Sequence, residues 1–478
     1  MLILALEAST TSAKAMYFDT DSESCEVDKK PYPKSSGEAA LLDPEAVFEQ
    51  MARVGRELVR GRRVDIVALG GAWHSVGLFD RDMRPVTPIY QWDNTEPAGL
   101  CAILRGDAGY VSSYYRRTGC MVNATYAFFK LLMLKRRYEL RRCYILGQGS
   151  YNNYRLTGRR IVTDCMLSGS GLLNIHTKKY DERCLEELGI DSSSLPQIVT
   201  YRDCFPLVPE AAARLGIRAG IPVMPACPDG ALDQAGSGAL AEGVMTCSIG
   251  TSCAIRLSAD RPVLSESNAT WCYLSPVSWL PGGATNCGTN NVDWFKQSVF
   301  ETGMSYAQIE AKMHEGDDTP VYLPFLYGAR CPGWNDARMG CFAGLRPSHD
   351  RYHMYRAVQE GVLFNIFQCY EALTGINGKP DTIRLSGGIL NSAAWSRMCA
   401  DIFQHDMEID MNEQASLLGG VVLAKERLGL ISDVRNARPA YSRIIHHDPQ
   451  KATVYREKYQ QYISYYDMIS SENNKKAR

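Results

Sequence analysis

The residues best suited to chemistry lie in a few short stretches. In "LALEASTTSAKAMYFD" (Leu4 to Asp19) the hydroxyls of Ser9, Thr10, Thr11 and Ser12 crowd one turn between two apolar runs, with Glu7 before it and Lys14 after it. Hydroxyls and turn amides in that density form an anion-binding nest, and a phosphate group suits it. Far downstream, "MTCSIGTSCAIRLSAD" (Met245 to Asp260) repeats the design, with Thr11-Ser12-Ala13-Lys14-Ala15 aligned on Thr251-Ser252-Cys253-Ala254-Ile255 and Gly250 opening the second turn. A match this short can be chance, yet the second copy falls near the midpoint of the chain. Between them, "PACPDGALDQAGSGALAEG" (Pro225 to Gly243) offers a carboxylate, Asp229, in a Pro-Asp-Gly turn. From its residue type alone Asp229 is either an ordinary helix cap or a general base. Asp233, one helical turn on, reads as structural or as a support behind the residue that does the chemistry. In "DTIRLSGGILNSAAWSRMCADIFQ" the pair Gly387-Gly388 lets backbone approach a flat ligand, and a tight turn explains it equally well.

These residues need elements to aim them. Met1 to Leu6 and Ala15 to Phe18 are apolar runs flanking a polar turn, which predicts a β-hairpin, and the downstream copy predicts a second. Small residues from Ala231 to Leu240 predict a tightly packed helix with Asp229 at its N-terminus. Ile383 to Leu385, the glycine pair and Ala393 to Phe403 read as strand, turn and helix. Tyr455, Tyr459, Tyr462 and Tyr466 recur at i, i+4, i+7, i+11 within Lys451 to Ile469, the signature of a helix docked by an aromatic stripe. Ser470 to Arg478 are polar and expected to fray.

Composition narrows the class. Lys+Arg 52 against Asp+Glu 53 leaves a net charge of −1, so no global field points to nucleic acid or to an acidic tail. No apolar run reaches membrane-spanning length, and the N-terminal run lacks the basic flank of a signal peptide. The 16 cysteines are scattered singly without a CxxC pair, which reads as reduced, buried thiols in a cytoplasmic chain, without disulfides or zinc.

Together these segments resemble, in order and over nearly the whole chain, the FGGY family of carbohydrate kinases within the actin-like ATPase superfamily. The resemblance implies an α/β fold of two ribonuclease-H-like domains facing a central cleft. The expected division is 1–243, 244–435 and a helical tail at 436–478. It places Glu7, Thr10, Thr11 and Lys14 on the first phosphate loop and Gly250 and Thr251 on the second. Gly387, Gly388 and Asn391 fall on the adenosine motif and Asp229 on the catalytic aspartate. "GAWHSVGLFDRDMRPVTPIYQWDN" is similar to the sugar-site segment, with His74 and Trp92 as substrate contacts, although either residue can equally be core. "TGCMVNATYAFFKLLMLK" resembles the next block, with Lys130 at its lysine, and "YLPFLYGARCPGWNDARMGCFAGL" a signature of the second domain. The implied reaction is ATP-dependent transfer of the γ-phosphoryl group to a small carbohydrate, with Mg²⁺ held by Glu7 and Asp229. The implied partners are that carbohydrate and ATP or ADP, with neither nucleic acid nor membrane, and a homodimer is the default assembly.

The chain also departs from the family pattern. Glu7 stands where Asp is usual, Ser9 replaces a glycine, Ala329 precedes Arg330 where an acid is usual, and Asn94 and Glu96 follow Trp92 in place of Asp and Arg. "WHS", "TGC" and "PDGAL" look most like gluconate kinases, and a pentulose such as xylulose is the alternative acceptor. A sugar acid needs a cation at its carboxylate, for which Arg330 is one candidate. A different class also fits the altered loop: a sugar- and nucleotide-binding regulator with weak transfer.

Overall fold

The computed structural model describes residues 1–32, 40–300, 303–314, 318–409, 414–437 and 443–476, with the side chains of 470–476 outside the description. Thirteen strands form the two large sheets. They are β1 (Leu2–Ala8), β2 (Ser12–Asp19), β3 (Ser24–Pro31), β4 (Ile66–Gly71), β5 (Phe205–Pro206), β6 (Pro222–Pro228), β7 (Val244–Ile249), β8 (Cys253–Leu257), β9 (Trp271–Leu274), β10 (Trp279–Thr285), β11 (Thr382–Ser386), β12 (Met407–Ile409) and β13 (Arg443–Ile445). The helices that matter for the site are α1 (Pro44–Val59), α2 (Asp229–Gly236), α3 (Arg351–Asn377), α4 (Ala393–Phe403), α5 (Ala415–Arg427) and α6 (Ala452–Lys476).

The sheets share one plan. The first has the order β5-β6-β4-β1-β2-β3 and the second β9-β10-β8-β7-β11-β12-β13. In each, an antiparallel hairpin opens the sheet, and its first strand lies parallel to the next strand inward, β1 to β4 and β7 to β11. Both hairpins expected from the sequence are present. β1 alternates its side chains between two cores, Ile3 and Ala5 on one face, Leu4 and Leu6 on the other. Helix α1 covers the second of these faces with Val47, Phe48 and Met51. Asp43 caps α1 by accepting from Glu45 N and Ala46 N, and Pro44 opens it.

Two helices depart from the sequence reading. The stretch expected to run helical to Leu240 ends at Gly236, because the chain turns at Gly238 with φ 62° to enter β7. α6 reaches Lys476, beyond Ser470 where fraying was expected, and 477–478 lie outside the described residues. Its tyrosine stripe is core, with Tyr455, Tyr459 and Tyr462 buried and Tyr466 facing Arg338 and Phe325. No described helix is long and apolar enough to cross a membrane. All sixteen cysteines are free: thirteen are buried, Cys204 and Cys341 are partly covered, and Cys25 is exposed.

Candidate active site

The first turn sits where β1 and β2 part. Their register sets Glu7 opposite Lys14, and Lys14 Nζ donates to Glu7 Oε1 at 2.8 Å. Burial alone depresses the Lys14 pKa, but the charge of Glu7 and this hydrogen bond outweigh it and raise it. The turn is closed by Ser9 N donating to Ser12 O at 3.0 Å, with Ser9 Oγ on the same carbonyl at 2.7 Å. Thr11 is left exposed at the tip. Ser9 thus spends its hydroxyl on the turn itself, a role the glycine usual there cannot fill.

Asp229 opens α2 directly after β6, because Pro228 holds extended backbone at the cap and Asp229 Oδ1 accepts from Gly230 N at 2.8 Å. Burial, and then the charge of Glu7, push its pKa up to about 6, with Gly230 N–H, Arg256 and Lys14 pulling the other way. Asp233 is pushed up to about 7 by burial, against the pull of Arg256 and with the added repulsion of Asp229 and Glu7. Glu7 Oε2 is buried and has no hydrogen-bond partner. Three carboxyls, one with an orphaned oxygen, supply hard oxygens of the kind a divalent cation takes, although among the described residues they do not converge on one point as a three-ligand group. Glu7 and Asp229 lie close enough for the charge of one to act on the other.

A cleft of about 570 Å³ is lined by residues from both halves of the chain, among them Trp92, Asn123, Thr251, Ser252, Arg330 and Asp336. Trp92 joins it to the first turn, its indole N–H donating to Thr10 Oγ1 at 3.0 Å. Trp92 and Thr251, far apart in sequence, thus face one space. Gly250 to Ser252 form the second turn, closed by Gly250 N donating to Ser252 O at 3.0 Å. Gly387 follows β11 beside it with φ 94°, and a Cβ there would meet Ile249 O at 2.6 Å and Gly250 N at 3.1 Å. Only glycine permits that approach, so the glycine pair and the second turn are one construction. Asn391 ends the short helical turn Gly388–Asn391 and is exposed.

His74 lines a second cavity and lies within reach of the charges of Arg330, Lys130 and Arg256. Its Nδ1 bonds to Gly169 O, its ring meets Tyr126 and Tyr273 edge-on, and it borders this smaller cavity with Ser75, Val76 and Met166. Its imidazole is enclosed, and burial pushes its pKa down to about 3. Lys130 lies buried behind the cleft wall, donating to Ala124 O at 2.9 Å and Thr125 O at 2.6 Å, and burial brings its pKa down to about 7 although Asp93 opposes this. It therefore braces the Ala124-Thr125 wall from within.

Arg256 and Asp336 escaped the sequence reading, and Asp233 was given only a structural or supporting role. Asp233 belongs to the carboxyl cluster and not merely to the helix. Arg256, quoted with the second hairpin but given no role, reaches from β8 to the start of α2, where a Cβ on Gly230 would lie 2.8 Å from its Nη2. Asp336 accepts from Arg105 at 2.8 Å and Asn123 at 3.2 Å, tying the two walls of the cleft. The repeat of the hairpin motif could have flagged Arg256, since it stands on the same strand as the aligned residues.

Residues 2–236 match the N-terminal domain of the FGGY family of carbohydrate kinases, and residues 245–425 match its C-terminal domain. The chain belongs to the FGGY family of carbohydrate kinases. It is 27% identical over 452 residues to the gluconokinase of Bacillus subtilis (strain 168), covering 90% of this chain and 88% of that one. It is 24% identical to the xylulose kinase of the same strain, over 88% of this chain and 87% of the other. Among solved structures, the gluconate kinase from Lactobacillus acidophilus matches with a TM-score of 0.93 at 25% identity, covering 99% of both chains. The ligand-bound xylulose kinase from the same organism matches equally, with a TM-score of 0.93 at 25% identity and 99% of both chains. As an FGGY carbohydrate kinase the chain is a phosphotransferase with an alcohol acceptor, and ATP is its phosphoryl donor. The actin-like fold expected from the sequence is the fold observed.

Proposed function

We propose that this kinase phosphorylates a small sugar acid, gluconate first, with Asp229 as general base. The observation that carries the sugar-acid reading is Arg330. It is 9% exposed, its Nε has no hydrogen-bond partner, and among the described residues it forms no ion pair, yet it lines the cleft that holds Trp92 and Thr251. A desolvated guanidinium without a counter-ion favours a ligand that brings one, and a carboxylate matches its fork. Ala329 in place of an acid supports this by leaving the arginine uncompensated. The gluconokinase and gluconate kinase relatives point the same way.

In this reading Asp229 takes the proton of the acceptor hydroxyl as its oxygen attacks the γ-phosphorus and the bond to the bridging oxygen of ADP breaks. Its raised pKa of about 6 keeps it largely ionised at neutral pH and basic enough for the task. Thr10, Thr11 and Lys14 hold phosphate oxygens from one side, and Gly250 and Thr251 from the other. Gly387, Gly388 and Asn391 support the adenosine, and Trp92 supports the acceptor. Glu7 and Asp229, with Asp233, would hold Mg²⁺, which would neutralise charge on the phosphates. We take residues 1–243, 244–435 and 436–478 as the working domains, a division supported by the break between the two family matches. His74 fits better as a wall residue than as a sugar contact.

The xylulose kinase relatives keep a pentulose as the second reading. The deciding experiment measures ADP release with Mg-ATP across gluconate, xylulose, ribulose, rhamnulose, glycerol and erythritol. Turnover with gluconate that weakens in Arg330→Met supports the sugar-acid reading. Turnover with xylulose and not gluconate replaces it, and ATP binding without any acceptor-dependent turnover would identify a regulator.

A further inference from the structure

Arg256 is the charged group in this site that the reaction as described leaves idle. It stands on β8, whose burial alternates so that Ala254 and Arg256 share the less-buried face while Cys253, Ile255 and Leu257 are buried. Ala254 aligns with Lys14 of the first hairpin, so Arg256 projects from the same face one step deeper in the second. Its guanidinium and the edge of Trp73 clasp Gly230: a Cβ built there would lie 2.8 Å from Arg256 Nη2 and 2.8 Å from Trp73 Cζ3. Gly230 N in turn caps Asp229 Oδ1. The guanidinium therefore reaches from the second sheet to the residue next to the proposed base.

Its hydrogen bonding is incomplete in an informative way. Arg256 Nε is buried without a partner, and among the described residues the side chain forms no hydrogen bond or ion pair. Asp229 and Asp233 both feel its charge, yet neither binds it. A guanidinium carries five donors, and a buried N–H left unmatched, as Nε is here, costs free energy unless another group completes it. The space between Asp229 and the two turns is where the transferring phosphoryl group belongs in the reaction proposed above, and that group carries three charged oxygens.

We propose that Arg256, carried on the second hairpin, donates to the oxygens of the transferring γ-phosphoryl group and stabilises its charge in the transition state. The inference rests on the phosphoryl-transfer reading of the Asp229 site. The new bond runs from the acceptor oxygen to phosphorus, the bond to the bridging oxygen breaks, the proton passes to Asp229, and Arg256 contributes hydrogen bonds without exchanging a proton. Because it belongs to the opposite sheet from Asp229, it also makes catalysis depend on how the two halves meet.

The test compares Arg256→Met and Arg256→Lys with the parent enzyme in kcat, in KM for acceptor and Mg-ATP, in ADP affinity by calorimetry, and in the slow hydrolysis of ATP by water. Hydrolysis by water needs no acceptor, so the test works whichever carbohydrate is preferred. We expect Arg256→Met to lose on the order of 10²–10³-fold in kcat and in hydrolysis, with ADP affinity and acceptor KM within about threefold. Arg256→Lys should recover part of the loss, and added guanidinium ion should raise turnover of Arg256→Ala. A lower melting temperature with kcat retained would overturn the proposal and make Arg256 a strut between the halves. A raised KM for a sugar acid alone, with hydrolysis unchanged, would overturn it in favour of a carboxylate contact. Asp229→Asn run alongside separates the two ideas: if it retains transfer, the site reading fails independently of Arg256.

Discussion

At the residue scale, Asp229 and Glu7 are both enclosed carboxyls, but only Glu7 has a direct cationic partner. Asp229→Asn preserves the Gly230 cap geometry and removes the proton acceptor, so transfer should fall by roughly 10²–10⁴-fold while ATP binding persists. Near-normal turnover in that variant would remove Asp229 from the chemistry. Lys14→Met leaves the buried Glu7 carboxylate unpaired, which should lower unfolding free energy by about 3 kcal/mol in a urea titration. An unchanged midpoint would mean that Glu7 finds another partner or a proton. His74 supplies a pH dependence. Its folded pKa of about 3 lies below the ordinary value of 6.5, so the unfolded chain binds the extra proton between those values. Stability from this site is complete above pH 6.5 and falls as the medium becomes more acidic, by about 1.4 kcal/mol per pH unit. His74→Asn, which tolerates the φ of 68° at this position, should flatten the acid limb of a melting-temperature profile; an unaltered limb would place the acid sensitivity elsewhere.

At the element scale, the position of Asp229 depends on how α2 is seated. α2 packs against α5, which comes from the far end of the sequence and also lies on β1 and β4 of the first sheet. The helices cross on glycines: a Cβ at Gly236 would fall 1.9 Å from Ala415 O, and one at Gly419 would fall 2.0 Å from Leu232 O. Backbone-to-backbone approach of this kind leaves no flexible side chain to yield. Gly419→Ala should therefore force the helices apart, cost about 2 kcal/mol, and move Asp229 enough to lower kcat. Calorimetric melting together with turnover would check this, and a variant matching the parent in both would show that the crossing has slack.

At the scale of the molecule, the site is divided between two sheets. Asp229, Lys14 and Trp92 come from the first half, and Thr251, Arg256 and Arg330 from the second, so neither half holds a complete constellation. Arg105 and Asn123 reach Asp336 across the cleft, and Thr246 Oγ1 meets Gln234 Oε1 at 2.6 Å beneath it. Acceptor bound between the walls gains contacts only when they approach, which also excludes water from the γ-phosphorus. Small-angle scattering should show a smaller radius of gyration with acceptor and a non-hydrolysable ATP analogue than with either absent. An unchanged radius would mean that the cleft is already closed.

The hairpins, the cap at Asp229, the glycine pair and the tyrosine stripe were legible in the sequence because each is a local matter of side-chain period, turn chemistry and helix capping. Their order along the chain sufficed for the resemblance to a kinase family. The partners of those residues were not legible. That Asp233 shares a charge cluster with Glu7, that Trp92 bonds to Thr10, that His74 lines a second cavity, and that Arg256 and Arg330 form no ion pair among the described residues all depend on which strand faces which. The sequence determined the local elements and the kind of chemistry they can support. Only the tertiary structure decided which charges meet, because burial and distance set the strength of every electrostatic contact and both arise from the packing of segments remote in the chain.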